Sequence, residues 1–280
     1  MAEFPVSRRS FGGAIAVGMV ALAGCSDDLD DTDDDGNSSD DPADGEPSMD
    51  DGDDEETPTS DPGDQDDDEA ADDEEETDGM VRVVHGSPDA PNVDVYADDG
   101  LVVENVAFRA VSDYLTVPAA AYDVVITAAG DREEIVYDDV VGVEPGTAAT
   151  LVALGELEDD TFDVRSFEDD ISSIGEPASR LKVVHASPDA PNVDIVPAES
   201  EDPLFADLAF GEASESATVP ADAYDLEVRP TGESDAVASF PVELGGGTAY
   251  TGVAMGYVEP ESAPADEPLD LTMAVDSAGE

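Results

Sequence analysis

The chain has 280 residues, with 73 Asp and Glu against 9 Lys and Arg and a formal net charge of −64. A field of that sign repels nucleic acid and anionic headgroups, so a direct role on either is excluded. The single cysteine, Cys25, rules out an intramolecular disulfide and a Cys-based zinc cluster.

Residues 1–25 carry the first recognisable pattern. Ser7-Arg8-Arg9-Ser10-Phe11 precedes an uncharged apolar run from Gly12 to Ala23 and then Cys25. A charged start, a short apolar stretch and small residues at the exit are the parts of a secretory signal, and the run is too short to span a bilayer. Arg8 and Arg9 resemble a twin-arginine (Tat) export signal. Leu22-Ala23-Gly24-Cys25 resembles a lipobox, in which the Cys25 thiol takes the lipid and becomes the mature N-terminus. The expectation is a lipoprotein at the cell surface, anchored in the outer face of the cytoplasmic membrane.

Residues 26–79 are expected to form a disordered acidic stalk. Positions 27–79 hold 29 Asp or Glu and no Lys or Arg, with too little apolar surface to offset the entropy of ordering. As a flexible coil the stalk would span roughly 40 Å. Asp31, Asp33, Asp35 and Gly36 match the opening of a calcium-binding loop, but Pro42 stands where a bidentate Glu belongs. Such a match is expected by chance in an Asp-rich tract. Residues 80–280 remain acidic, with 43 Asp or Glu against 7 Lys or Arg. That composition resembles proteins of extreme halophiles, whose self-repulsion is screened where the Debye length falls to ~3 Å.

An internal repeat dominates the rest. Val83-Val84-His85-Gly86-Ser87-Pro88-Asp89-Ala90-Pro91-Asn92-Val93-Asp94 recurs at Val183 to Asp194, with only Gly86 replaced by Ala186. Val117-Pro118-Ala119 with Ala121-Tyr122-Asp123 recurs as Val219-Pro220-Ala221 with Ala223-Tyr224-Asp225, and Gly146-Thr147-Ala148 as Gly247-Thr248-Ala249. Between these landmarks, short alternating runs are punctuated by Gly, Pro and Asp. Val81, Val83 and His85 alternate with Arg82 and Val84; Tyr122, Val124 and Ile126 alternate with Asp123, Val125 and Thr127. The predicted class is all-β: two tandem Ig/transthyretin-like antiparallel β-sandwich domains, with boundaries 80–168 and 180–280 and a linker at 169–179. About seven or eight strands are expected in each. Tyr122 and Tyr224 are expected to make tyrosine corners, and Phe205 to Glu215 is read as loop or strand. The short linker suggests sandwiches placed end to end.

The His-(Gly/Ala)-Ser-Pro-Asp-Ala-Pro-Asn-Val-Asp block, the Val-Pro-Ala and Tyr-Asp turn and the Gly-Thr-Ala strand start resemble the domain-of-unknown-function family DUF4397 over 80–157 and 180–258. The resemblance implies an exported surface protein of the kind found in halophilic archaea, with tandem copies. It transfers no catalytic or ligand-binding residues.

His85 and His185 are the only histidines. A nucleophilic site would need Ser87, His85 and Asp89 or Asp94 in one constellation. The turn instead suggests that Ser87 bonds the backbone two residues on, and that the imidazole bonds its own turn through Asp94 or the Asp89 backbone. Weak metal candidates are His85, Asp89 and Asp94, with Asn92, and in the second copy His185, Asp189 and Asp194. No catalytic set and no cofactor signature stands out. The reading is a non-enzymatic binding or structural module whose partner is a cell-envelope protein or polymer; a cation-binding surface protein and an exported hydrolase are the alternatives.

Overall fold

The computed structural model describes residues 78–277. Arg8, Arg9, Cys25, the calcium-loop-like stretch and nearly all of the stalk lie outside them. The described chain forms sixteen strands and a single 3-10 turn at Pro260–Ser262.

The first repeat contains β1 (Asp78–His85), β2 (Val93–Ala97), β3 (Gly100–Val106), β4 (Leu115–Pro118), β5 (Ala121–Ala128), β6 (Ile135–Gly142), β7 (Ala148–Leu154) and β8 (Asp163–Asp169). The second follows strand for strand: β9 (Ala178–Ala186), β10 (Val193–Pro197), β11 (Phe205–Leu208), β12 (Ala217–Pro220), β13 (Ala223–Pro230), β14 (Ala238–Glu243), β15 (Ala249–Met255) and β16 (Asp270–Ser277). Val, Ile, Thr and Tyr supply the branched and aromatic side chains that suit a pleated surface. In each repeat one sheet has the order β4-β1-β7-β8 (β12-β9-β15-β16) and the other β3-β2-β5-β6 (β11-β10-β13-β14).

The all-β tandem sandwich thus matches the sequence reading, with one difference in pairing. β1 and β7 are parallel, Met80 opposite Ala148 through His85 opposite Ala153, and β9 and β15 repeat this. The chain between them passes through the facing sheet and returns to the starting end, so it re-enters beside β1 in the same direction. The remaining ladders are antiparallel. The undecided stretch from Phe205 begins as edge strand β11 and continues as loop.

Alternation works as expected on the inner faces. Val83, Val93, Val95, Val124, Ile126 and Val141 form the first core; Leu181, Val183, Val193, Ile195, Leu226 and Val228 lie in the second. Tyr122 donates to the Pro118 carbonyl at 2.7 Å and Tyr224 to the Pro220 carbonyl at 2.8 Å, so both tyrosine corners are present.

The end-to-end arrangement is not what forms. Val84, Val152, Leu154, Val184, Ala186, Val253 and Met255 belong to one cluster, contributed by the outer faces of β1, β7, β9 and β15. The two β1-type sheets therefore pack face to face, giving four layers. The cause is in the outward positions: a strand covered on both sides must be apolar on both. Val83-Val84 and Val152-Ala153-Leu154 are continuous apolar runs where a solvated face would alternate.

The seam between the repeats has local two-fold symmetry. A Cβ built on Gly86 would lie 3.7 Å from the Cβ of Ala186, its own equivalent. Glu156 and Tyr257, equivalent positions after β7 and β15, bond each other at 2.9 Å. At the other end of the seam, Arg82 and Lys182 converge on the same Asp169 oxygen, at 3.9 and 2.6 Å. Equivalent residues meet at both levels, so β1 and β9 run in the same direction along the axis. Both repeated loops consequently leave the molecule at one end. The chain enters β1 at the opposite end, a strand length of about 25 Å away.

Candidate functional site: the paired loops

The repeated loops, residues 86–92 and 187–192, follow β1 and β9. Their buried polar residues fasten the loops to the fold. His85 is fully buried, its Nε2 3.0 Å from the Pro91 carbonyl and its ring edge-on to Phe108; His185 repeats this with Pro191 at 3.1 Å and Phe210. The acceptor is thus the Pro91 carbonyl, not Asp94 or the Asp89 backbone. Asp94 is already engaged on the other sheet, accepting from the N–H groups of Asn105 (2.7 Å) and Gly130 (2.9 Å). Those two bonds hold its carboxyl below the usual range, against the opposing effect of burial. Asp194 accepts from Asp207 N–H and the Thr231 hydroxyl.

Asp89 accepts from the backbone N–H groups of Leu157 and Glu158, both at 2.9 Å, and Asp189 from Val258 and Glu259 at 2.9 and 2.8 Å. Each carboxylate clamps the β7–β8 or β15–β16 connection to its loop. Ser87 donates to the Asp89 carboxylate (3.3 Å) rather than to backbone, because that side chain folds back over the turn; Ser187 bonds Asp189 and also the Gly256 carbonyl at 2.6 Å. Ser87, His85 and Asp94 are not assembled as a relay: the serine faces Asp89, the imidazole faces Pro91, and Asp94 faces the β5–β6 turn. Among the described residues no group of three or more His, Cys, Asp or Glu is placed to hold a metal ion.

Asp94→Ala is expected to cost about 1–3 kcal/mol, since it leaves the Asn105 and Gly130 N–H groups without their charged acceptor. Urea denaturation of the variant measures it, and a loss under about 0.5 kcal/mol would contradict the clamp role. A carboxyl whose folded pKa is depressed contributes its stability above the ordinary Asp value near 4 and loses it as pH falls through the folded value.

What the loops leave exposed is Pro91-Asn92 in the first and Asp189 with Pro191-Asn192 in the second. Between them on the two-fold axis lies the Glu156–Tyr257 pair. Burial, then the charges of Asp159, Asp89 and Asp189, pushes the Glu156 carboxyl up, against the Tyr257 hydrogen bond that favours its ionised form. The Tyr257 hydroxyl is pushed up by burial first and by Glu156 second. This pair was not singled out from sequence, because it joins positions 101 residues apart that differ in type.

A second set of seam residues was equally unremarked. Arg82 donates to Thr150 (2.8 Å), to the Val275 carbonyl (3.0 Å) and to Asp276; Lys182 donates to the Glu168 carbonyl and Asp169, both at 2.6 Å. Thr150 and Thr251 donate to Asp169 and Asp276, at 2.6 and 2.9 Å. Each repeat's cation thus neutralises the other repeat's carboxylate. The available signal was a cation at the same place in both copies of a strand that is otherwise apolar. Arg109, which pairs with Glu267, and Arg165, which donates to the Gly211 carbonyl at 2.6 Å, also cross between repeats. Among the described residues, four of the seven Lys and Arg, namely Arg82, Arg109, Arg165 and Lys182, cross between the repeats.

The family model for the domain of unknown function DUF4397 matches residues 79–196 and again 179–279. The chain belongs to the DUF4397 family. The two matches overlap where the second copy of the DUF4397 opening motif begins. No curated protein matches this DUF4397 chain. Among solved structures, the C-terminal domain of AlgF from P. aeruginosa is similar at 13% identity, covering 36% of this chain and 99% of that one, with a TM-score of 0.27. The family 26 carbohydrate-binding module CBMbc from Eubacterium rectale Amy13K, solved with maltoheptaose, is similar at 9% identity, covering 70% and 96%, with a TM-score of 0.23.

Proposed function

We propose that this chain is a non-enzymatic surface module, exported and lipid-anchored at Cys25, that presents its two DUF4397 loops to a component of the cell envelope. The observation that carries the reading is positional. Both loops emerge at one end of the four-layer body, and the chain that would lead back to Cys25 enters at the other. A tether attached there turns the paired Pro-Asn tips outward. The loop chemistry supports binding or scaffolding over turnover: the histidine, serine and aspartates are engaged in holding the loops, and Pro91 and Pro191 stiffen the exposed tips. A dedicated cation site is less well supported, because Asp89, Asp94, Asp189 and Asp194 already accept hydrogen bonds from backbone N–H groups. Counting Asp and Glu against Lys and Arg gives −17 for 78–169 and −17 for 178–277, a surface suited to strong salt and to cationic partners.

The test immobilises the full chain through Cys25 and challenges it with envelope extract in molar salt. The expected result is a retained protein or polymer that is lost when Pro91, Asn92, Pro191 and Asn192 are replaced by Gly and Ser. Repeated failure to retain anything, or retention indifferent to those four replacements, would overturn the reading. Mass spectrometry of native material tests the anchor separately; an intact Met1 with an unmodified Cys25 would refute it.

A further inference from the structure

We propose that His85 and His185 are acid-operated latches: each neutral imidazole holds one repeated loop closed, and protonation loosens both loops while the sandwiches stay folded. The latch concerns the loops themselves and does not depend on what they bind.

A neutral imidazole has one N–H and one lone pair. Nε2 lies against a carbonyl oxygen in both repeats, 3.0 Å from Pro91 and 3.1 Å from Pro191, and a carbonyl only accepts. The hydrogen is therefore on Nε2, and Nδ1 carries the lone pair. In the second repeat that lone pair accepts the Ser187 N–H at 3.3 Å. In the first repeat Nδ1 is buried with no partner. A second proton must go to Nδ1. At His185 it would set one N–H against another; at His85 it would create a buried donor with nothing to accept it. Relief requires water, which an opening of the loop would admit.

The surroundings offer no counter-ion in hydrogen-bond reach. The charged groups on the packed segments are Asp89 in the first loop, Arg109 and Asp113 on the β3–β4 connection, and Glu156, Glu158, Asp159 and Asp160 on the β7–β8 connection. In the second repeat they are Asp189, Glu212 and Glu215 on the β11–β12 connection, and Glu259, Glu261, Asp266 and Glu267 on the β15–β16 connection. None of them bonds an imidazole. Asp89 and Asp189 are held by backbone N–H groups, and Arg109 is paired with Glu267. Burial lowers both histidine pKa values, partly opposed by the proline carbonyls and, at His185, by Asp189. The sign follows: a base with a depressed folded pKa contributes its stability above its unfolded value near 6.5 and loses it as pH falls through the folded value. The strand ladders make no use of either ring; the rings reach the seam only through their edge-on contacts with Phe108 and Phe210, so opening is centred on the loop ends.

The chain has only two histidines, so their titration can be followed without overlap in side-chain nitrogen NMR spectra of the native protein. Both rings are expected to remain in the Nε2–H form until the pH is well below 6.5. Hydrogen exchange of peptides spanning 86–92 and 187–192, corrected for intrinsic rates, is expected to rise about tenfold for each unit of depression as the rings titrate, since one unit is a factor of ten in the coupled equilibrium. Peptides from β7 and β15 are expected to keep their protection. In H85Q/H185Q, where the amide can still donate to the proline carbonyl, the loop exchange is expected to be pH-independent. Rings that titrate at or above the ordinary value, or that protonate with no change in loop exchange, would overturn the latch. If the double variant does not fold, the native titration and exchange decide alone.

Discussion

Arg82→Met is expected to lower the unfolding free energy by about 3–5 kcal/mol, the range for breaking a buried ion pair by removing one partner. Arg82 is 2% exposed and is the cation that faces Asp276 across the seam. Without it, Asp276 keeps only the Thr251 hydroxyl as a partner, in a site where burial already pushes its carboxyl up and the Arg82 charge opposes that rise. The variant should therefore recover part of its loss on mild acidification. A carboxyl with a raised folded pKa is better tolerated protonated, so its contribution is most favourable below the ordinary value near 4 and declines as pH rises through the folded value. Replacing all four charges together, as R82M/K182M/D169L/D276L, is expected to be close to neutral, because desolvation is relieved along with attraction. Denaturant midpoints of the single and quadruple variants measure both effects. A single variant within about 1 kcal/mol of the native chain would show the quartet to be incidental.

Gly256→Ala is expected to cost about 2–4 kcal/mol, combining left-handed backbone strain with a steric conflict. Gly256 has φ of +96°, and a Cβ there would overlap the backbone carbonyl of Pro268 with no flexible side chain to give way. Its own carbonyl accepts from Ser187, and the next two residues but one, Val258 and Glu259, donate to Asp189. The loss should appear both as a lower thermal midpoint and as faster exchange in 187–192. Gly155, at φ +87° and facing the Thr161 carbonyl, is the equivalent position and should behave alike. A tolerated alanine at both would mean that these connections do not fix the loops.

Much of the fold was legible because its signals are local. The Val-Val-His and Tyr-Asp-Val runs mark strands, Pro118 and Pro220 mark turns, and the repeated block aligns one sandwich with the other. The loop residues were also legible as a group, but their partners were not. Nothing near Asp89 in sequence indicates that its acceptors serve Leu157 and Glu158, 68 and 69 residues away. His85 bonds its own turn as the sequence suggests, but at the Pro91 carbonyl rather than at Asp94 or the Asp89 backbone, because alternation does not specify which acceptor lies in reach. The short linker at 169–179 suggests an end-to-end arrangement, yet the repeats stack through their outer sheets. Alternation places Val83 inward and Val84 outward but does not say what covers the outward face, and Val84 and Val184 are buried there against each other's repeat.

By itself, the sequence determined that there are two copies of an all-β unit, where their turns fall, and that the tips of the repeated loops are stiff, since period-two patterning, proline and glycine act over a few residues. Only the tertiary structure decided that the copies stack through their outer sheets and raise both loops at one end. That outcome depends on Arg82 meeting Asp276, 194 residues along the chain, and on apolar faces that bury each other only once both sandwiches exist.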